Sequence, residues 1–134
     1  MVILFDRYNL TEDIFEVIFS TSQQKIVAKE LIKYMILNGA EVTKTEMSLF
    51  ATKLHEGEYE TTLEDAPYKG KVVKLSYNKR QFYDRILTPM KAMGLVDYDL
   101  YKKTYKVSVK FSNDMMKVGI MWKSQMKRMG FEKD

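Results

Sequence analysis

Residues 78–111 decide the fold of this chain, and they have the sequence NKRQFYDRILTPMKAMGLVDYDLYKKTYKVSVKF. Asn78 and Gln81 have the spacing of a helix capping box, and Gly94 is the residue type that most often follows the end of a helix. Apolar residues recur at helical spacing between these two signals. The pattern therefore predicts a helix from Asn78 to Met93.

The second half of the same stretch predicts a β-hairpin. Its first strand is Leu95 to Leu100, its turn is Tyr101-Lys102-Lys103, and its second strand is Thr104 to Phe111. Apolar and polar residues alternate along the second strand, so one face should lie on the core and the other in solvent. A hairpin with a basic turn thus follows directly after the predicted helix.

The predicted helix has an apolar side and a polar side. On an ideal helical wheel the apolar side is formed by Phe82, Ile86, Pro89, Met90 and Met93. The polar side is formed by Tyr77, Arg80, Gln81, Asp84, Thr88 and Lys91, with Arg85 at its edge. Because proline lacks a backbone N–H, we expect Pro89 to kink the helix or to end it early.

Several of these polar side chains are suited to DNA. Arginine can bind guanine and glutamine can bind adenine through two hydrogen bonds each, and Asp84 could orient Arg80 or accept from a cytosine amino group. Lysine and threonine more often contact phosphate. The candidate DNA-binding residues are Asn78, Lys79, Arg80, Gln81, Asp84, Arg85, Thr88, Lys91, Lys102 and Lys103. The alternative is a solvated surface helix next to a hairpin whose lysines discourage edge pairing.

Two further helices are predicted before this stretch. Thr21 and Gln24 have capping-box spacing and open an amphipathic helix that ends at Gly39. A short extended link, residues 40–42, leads to a second capping box, in which Thr43 is the first residue. The helix that follows runs from Lys44 to His55 and stops at Gly57. We interpret His55 as a partner of that helix's C-terminal dipole rather than a ligand.

Residues 57–76 form an insertion between the helices. Lys71 to Leu75 has the alternation of a strand, so we expect an ordered β-excursion. The pattern leaves open whether this strand joins the sheet of the predicted hairpin. The insertion also carries four acidic residues, which are Glu58, Glu60, Glu64 and Asp65. Their spacing matches no calcium loop, so we expect no metal site here.

Terminal helices are predicted over residues 11–20, capped by Thr11, and over residues 112–130, capped by Ser112 or Asn113. Both carry apolar residues on more than one side. This pattern favours a homodimer built from the terminal helices, which would suit a two-fold DNA site. The candidate dimerisation residues are Ile14, Ile18, Ile120, Met121 and Trp122. The alternative is that these stripes pack on their own domain.

Charge is distributed unevenly along the chain. Residues 1–66 have six basic and twelve acidic side chains, a balance of −6, whereas residues 67–134 have sixteen basic and six acidic ones, a balance of +10; together they give the net +4. Such asymmetry indicates that the C-terminal half faces a polyanion, either DNA or membrane headgroups. The alternative is that the lysines only solubilise a helical surface.

Composition excludes several classes of function. The chain has no cysteine and one histidine, which excludes disulfides, thiolate metal sites and histidine clusters. It contains no glycine-rich phosphate loop, nucleophile elbow or convincing carboxylate pair, so we expect neither an enzyme nor a cofactor. No apolar span has membrane length, and residues 1–10 lack the apolar core of a signal peptide. We expect a cytoplasmic protein that does not enter a membrane.

The run Phe82 to Asp97 resembles the recognition helix and first wing strand of winged helix-turn-helix regulators, and archaeal and archaeal-virus members are the most similar. Thr104 to Phe111 resembles their second wing strand, and Thr21 to His55 resembles their first two helices, with Val42 in a short strand between them. One departure is the insertion over residues 57–76, since the family joins its second and third helices by a tight turn.

The resemblance implies a mostly helical α+β chain, residues 1–134, with a winged-helix core over residues 21–111 and extra helices at both ends. It also implies sequence-specific binding of double-stranded DNA and a role in transcription regulation. The alternative is a winged-helix module that binds protein inside a replication or transcription complex.

Overall fold

A computed structural model describes residues 7–8, 10–63 and 69–131, so residues 1–6 and the acidic Glu64 and Asp65 lie outside the described residues. The fold is α+β and mostly helical. Its described elements are α1 (Ile14–Ile18), α2 (Ser22–Leu37), β1 (Glu41–Thr43), α3 (Lys44–Glu56), β2 (Tyr59–Thr62), β3 (Val72–Leu75), α4 (Lys79–Phe82), a π turn (Tyr83–Leu87), α5 (Thr88–Ala92), β4 (Val96–Asp99), β5 (Thr104–Val107) and α6 (Lys110–Arg128).

The core lies where three helical segments meet the sheet formed by β1, β5 and β4. The segments are α2, α3 and the continuous helix formed by α4, the π turn and α5. We call that helix the α4–α5 helix. The largest fully buried side chains of the core include Leu31 and Met35 of α2, Phe50 of α3, and Phe82 and Ile86 of the α4–α5 helix. Burying each side chain of this size contributes roughly 1.5–3 kcal/mol. The α4–α5 helix is therefore held along one side.

Local signals set the ends of α2 and α3 as predicted. The Thr21 side chain accepts a hydrogen bond from the backbone of Gln24, and Gly39 adopts a left-handed conformation after the end of α2. At α3 both halves of the Thr43–Glu46 capping box are formed, with distances of 3.0 Å each. These caps satisfy backbone groups that a helix end leaves without partners.

A π turn interrupts the α4–α5 helix ahead of its proline. The N–H of Thr88 donates to the carbonyl of Tyr83, five residues earlier, and Pro89 follows at the start of α5. The extra residue in this turn changes the angular phase of the helix, so Leu87 is fully buried and Pro89 only half-buried. The ideal wheel was therefore wrong here. It was also wrong for Tyr77, predicted on the polar side but only 6% exposed.

Two antiparallel sheets are present among the described residues. One has the strand order β1-β5-β4, in which Tyr105 pairs with both Val42 and Tyr98. The other consists of β2 and β3 alone. Strands β2 and β3 thus pair only with each other and do not extend the sheet of β1, β5 and β4, which we call the wing sheet.

The two ends of the inserted hairpin lie close together. The N–H of Tyr77 donates to the carbonyl of Leu54 at 2.9 Å, and a Cβ added to Gly57 would lie 3.8 Å from the Cβ of Ser76. Because both ends of the insertion meet, α3 still packs against the α4–α5 helix. The rings of Phe50 and Phe82 lie 5.6 Å apart, centroid to centroid.

The predicted N-terminal helix over residues 11–20 is shorter in the structure. Helix α1 spans Ile14–Ile18, and Asp13 rather than Thr11 caps it through a 3.0 Å hydrogen bond from the backbone of Phe15. The Thr11 hydroxyl instead accepts from the N–H of Asp13 at 3.1 Å. A carboxylate near the helix N-terminus is also favoured by the helix dipole.

The predicted boundary between the second wing strand and the last helix was wrong as well. Strand β5 ends at Val107 instead of Phe111, and α6 begins at Lys110 instead of residue 112. The Ser108 hydroxyl accepts from the N–H of Lys110, and the N–H of Phe111 donates to the carbonyl of Gly94 at 3.0 Å. These contacts turn the chain away from the sheet before the alternating pattern ends.

Helix α6 stands apart from the core. None of its residues, all of which the structure describes, is buried. A 2.7 Å ion pair between Lys110 and Asp97 joins its first residue to β4. Over the described part of the chain, no helix combines the length and apolar character needed to cross a membrane.

Candidate nucleic-acid interface

The start of the α4–α5 helix is fixed by two side chains. The Oδ1 atom of Asn78 accepts from the N–H of Gln81 at 3.0 Å, as the capping signal predicted. The Nδ1 atom of His55, at the end of α3, accepts from the N–H of Lys79 at 3.1 Å. His55 thus links two helices by accepting from a free backbone N–H, a role that its position near the end of α3 did not indicate.

Two of the candidate DNA-binding lysines are engaged within the chain. The Lys79 ammonium donates to the Thr52 hydroxyl at 2.9 Å and to the Ser48 hydroxyl at 3.2 Å. The Lys91 ammonium lies 5.8 Å from the ring centroid of Tyr98, on the face of the wing sheet. These contacts direct the Lys79 side chain toward α3, where two hydroxyls accept its hydrogen bonds, and the Lys91 side chain toward the wing sheet, where it stays exposed.

The remaining candidates on the helix form an exposed polar surface, and they are Asn78, Arg80, Gln81, Asp84, Arg85 and Thr88. The Nε atom of Arg80 lies 3.8 Å from a carboxylate oxygen of Asp84, one turn later. At this distance and exposure the pair adds little stability. The Arg80 guanidinium therefore keeps its hydrogen-bond donors available, as do Gln81 and Arg85.

The turn between β4 and β5, which we call the wing turn, is organised by Asp99. One of its carboxylate oxygens accepts from the N–H of Lys102 at 3.0 Å and from the N–H of Tyr101 at 2.9 Å. The pKa of Asp99 is held below its usual value, first by the hydrogen bond from the Lys102 N–H and then by the Tyr101 N–H and nearby lysine charges. Desolvation acts in the opposite direction and raises this pKa. Lys103 adopts a left-handed conformation, with φ of 53°. The side chains of Lys102 and Lys103 are both exposed.

Lys44 joins this basic turn, although we did not predict it as a site residue. Thr43 pairs with Thr104 across β1 and β5, and the N–H of Lys44 donates to the carbonyl of Lys103 at 2.9 Å. The Lys44 side chain is exposed. The signal for it was the extended link around Val42, because pairing this link with the wing would have placed Lys44 at the turn.

The candidate dimerisation residues fall into two groups. Ile14 is exposed on α1, while Ile18 is partly buried and packs against the core of its own chain. Ile120, Met121 and Trp122 are exposed on α6. The α6 residues are therefore free to meet a partner, whereas Ile18 is already in contact with the core.

Within the described ranges there is no group of three or more histidine, cysteine or acidic side chains arranged to hold a metal ion. No protein family, curated protein or solved structure matches the chain.

Proposed function

We propose that this chain is a winged helix-turn-helix protein that binds double-stranded DNA sequence-specifically and regulates transcription, without catalysis or a cofactor. The observation that carries the proposal is the exposed surface of Arg80, Gln81 and Arg85 on a helix whose opposite side is anchored in the core. An anchored helix with free donors is what direct reading of base edges requires.

The arrangement of elements supports the winged-helix part of the proposal. The resemblance predicts a short strand before the second helix of the core and a hairpin after the third. Here the short strand β1 pairs with β5 of the hairpin in one sheet. Helix α3 packs closely against the α4–α5 helix despite the insertion between them. The contacts are those between Phe50 and Phe82 and between His55 and Lys79.

The proposed interface divides into two kinds of contact. Arg80, Gln81 and Arg85 read bases in the major groove, which is wide enough for an α-helix. Lys44, Lys102 and Lys103 at the wing turn contact phosphates, which position the protein without specifying sequence. Lys79 supports the interface by joining the α4–α5 helix to α3.

A binding experiment with duplex DNA tests this division. Sites are selected from a random duplex pool, and affinity for selected and random duplexes is followed by fluorescence anisotropy over a range of salt concentrations. We expect Arg80→Ala to weaken binding to the selected duplex by roughly ten- to a hundredfold and to relax its base preference. We expect Lys102→Ala to weaken binding to both duplexes equally and to lower the salt dependence.

Lys123→Ala provides the matched control, because it removes the same charge from the exposed surface of α6. It should bind like the unchanged chain. Absence of binding at about 50 mM salt, where phosphate contacts are strong, would refute the proposal. Equal losses on selected and random DNA for Arg80→Ala would refute the base-reading role.

A second candidate is a protein-binding module of a replication or transcription complex, and the exposed apolar residues of α6 favour it. Such binding would show little of the steep salt dependence that phosphate contacts give. The homodimer is part of the main proposal, since two copies would suit a two-fold DNA site.

A further inference from the structure

Helix α6 has a long apolar surface that the described part of its own chain does not cover. It has 19 residues, which corresponds to a length of about 28 Å. Trp122 is 65% exposed, and Met115, Val118 and Met121 are all exposed too. Contiguous apolar patches of this kind are uncommon on monomeric proteins and mark sites of association.

The apolar residues of α6 include a narrow seam at coiled-coil spacing. Steps of four, three and four residues connect Met115, Gly119, Trp122 and Met126, and Phe111 lies one turn before Met115. Such a seam is typical of a helix that packs lengthwise against one other helix. Ile120, which we had predicted as a dimer contact, lies two residues from Trp122 and therefore on nearly the opposite side of α6.

Gly119 makes a notch in the seam. An added Cβ at this position would meet no other described atom within 4 Å, so nothing in the described chain calls for a glycine there. Glycine also weakens a helix relative to alanine. Its place one turn before Trp122, the largest side chain of the helix, suggests that the notch receives a side chain from another molecule.

We propose that α6 pairs with α6 of a second copy in antiparallel orientation, with Trp122 of each copy packed over Gly119 of the other. A two-fold axis at the midpoint of residues 119 and 122 fixes the whole register. Met115 then faces Met126 of the second copy, and Phe111 faces its Gly130. Both large aromatic residues of the seam thus lie opposite glycines. An isologous pair of this kind closes on itself.

The charges of α6 decide between the two orientations. Its basic residues are Lys110, Lys117, Lys123, Lys127 and Arg128, and Asp114 is its one acidic residue. In the antiparallel register each Asp114 lies at the level of Arg128 of the second copy and on the same flank of the pair. A parallel pair would place the two Asp114 side chains at the same level and would cluster the cations of both copies at the other end. Charge complementarity therefore favours the antiparallel pair.

This inference rests on the homodimer in the proposed function but does not depend on DNA binding. It also leaves Met116 and Ile120, on the far side of α6, outside the pair. The two ideas can therefore fail separately, because association is measured on the full chain without DNA.

Sedimentation of two variants at Gly119 tests the notch. We expect Gly119→Leu to fill it and to raise the dimer dissociation constant at least tenfold, whereas Gly119→Ala should change it much less. General hydrophobic association would instead be strengthened by the added leucine. Ile120→Ser is the matched control on the opposite face and should leave the dimer unchanged. Circular dichroism checks that each variant keeps its helix content.

Engineered disulfides test the orientation, since the chain has no cysteine of its own. In the proposed register Met115 and Met126 of different copies face each other, while the two Met115 residues lie about 16 Å apart along the helices. The double variant Met115→Cys/Met126→Cys should form covalent dimers on a non-reducing gel, and neither single variant should.

Three outcomes would overturn the inference. The unchanged chain could remain a monomer at tens of micromolar. The single variant Met115→Cys could cross-link with itself, which would indicate a parallel pair. Finally, Gly119→Leu could dimerise as well as Gly119→Ala. A monomer that co-sediments with vesicles containing anionic lipid, and loses this binding on Trp122→Ala, would assign the α6 surface to a membrane instead.

Discussion

The α4–α5 helix and α6 have similar chemistry but different environments. Both carry apolar residues at helical spacing and several basic side chains, yet Phe82 is fully buried in the first and Trp122 is 65% exposed in the second. The first helix is also capped by Asn78, whereas the N-cap residue of α6 is Val109, which makes no side-chain cap hydrogen bond. An apolar stripe alone does not say what it packs against. The packing of the neighbouring elements decides whether it belongs to the core or is left for a partner.

The largest expected difference between the two helices is in how much an alanine substitution lowers the free energy of unfolding. We expect Phe82→Ala to lower the free energy of unfolding by about 3–5 kcal/mol, because it leaves a cavity between the α4–α5 helix and α3. Trp122→Ala should change it by less than about 0.5 kcal/mol at concentrations where the chain is monomeric. Urea denaturation of both variants measures the difference. A large loss for Trp122→Ala in the monomer would show that α6 packs on its own core.

A smaller effect concerns the helix caps. Asn78→Ala should lower the free energy of unfolding by about 1 kcal/mol, since the N–H of Gln81 loses its acceptor at the start of α4. Asn113, which we predicted as a cap, instead lies inside the first turns of α6. Asn113→Ala should therefore be neutral or slightly stabilising, because alanine has the higher helix propensity. Thermal unfolding followed by circular dichroism checks both, and equal losses would contradict the assignment of the caps.

The smallest effect is local to the wing. The folded state lowers the pKa of Asp99 below its usual 3.8, so its contribution is present above that pH and is lost as the pH falls through the folded value. The wing turn should therefore be constant around neutral pH and loosen only in acid. Amide chemical shifts of Tyr101 and Lys102, followed by NMR, should titrate together, and in Asp99→Ala this titration should be absent. A turn that keeps its shifts in acid would contradict the role of Asp99.

Local signals in the sequence predicted the parts of this fold that depend on nearest neighbours. The Thr43–Glu46 capping box, the glycine after α2 and the Asn78 cap were all predicted, because each is a contact within a few residues. The hairpin turn around Lys102 was predicted for the same reason.

The features that the sequence did not predict depend on the angular position of residues around a helix or on contacts between distant parts of the chain. A single π turn buries Leu87 and leaves Pro89 half-buried, contrary to the ideal wheel, although Ile86 and Met90 are buried as predicted. Nothing local indicates such a turn except Pro89. Lys44 reaches the wing only through pairing of β1 with β5. Alternation also continues past Val107 toward Phe111, although the chain turns earlier to begin α6.

The inserted hairpin has a consequence for folding and for change in chain length. Because residues 57 and 76 come together, residues 58–75 form a loop closed at its base. Lengthening a tight turn of about four residues to about twenty raises the entropy cost of closure by only roughly 1.4 kcal/mol. The pairing of β2 with β3 offsets part of this cost within the loop itself. The length of this segment therefore has little effect on the cost of closure, and the register of the helices is set where residues 57 and 76 meet.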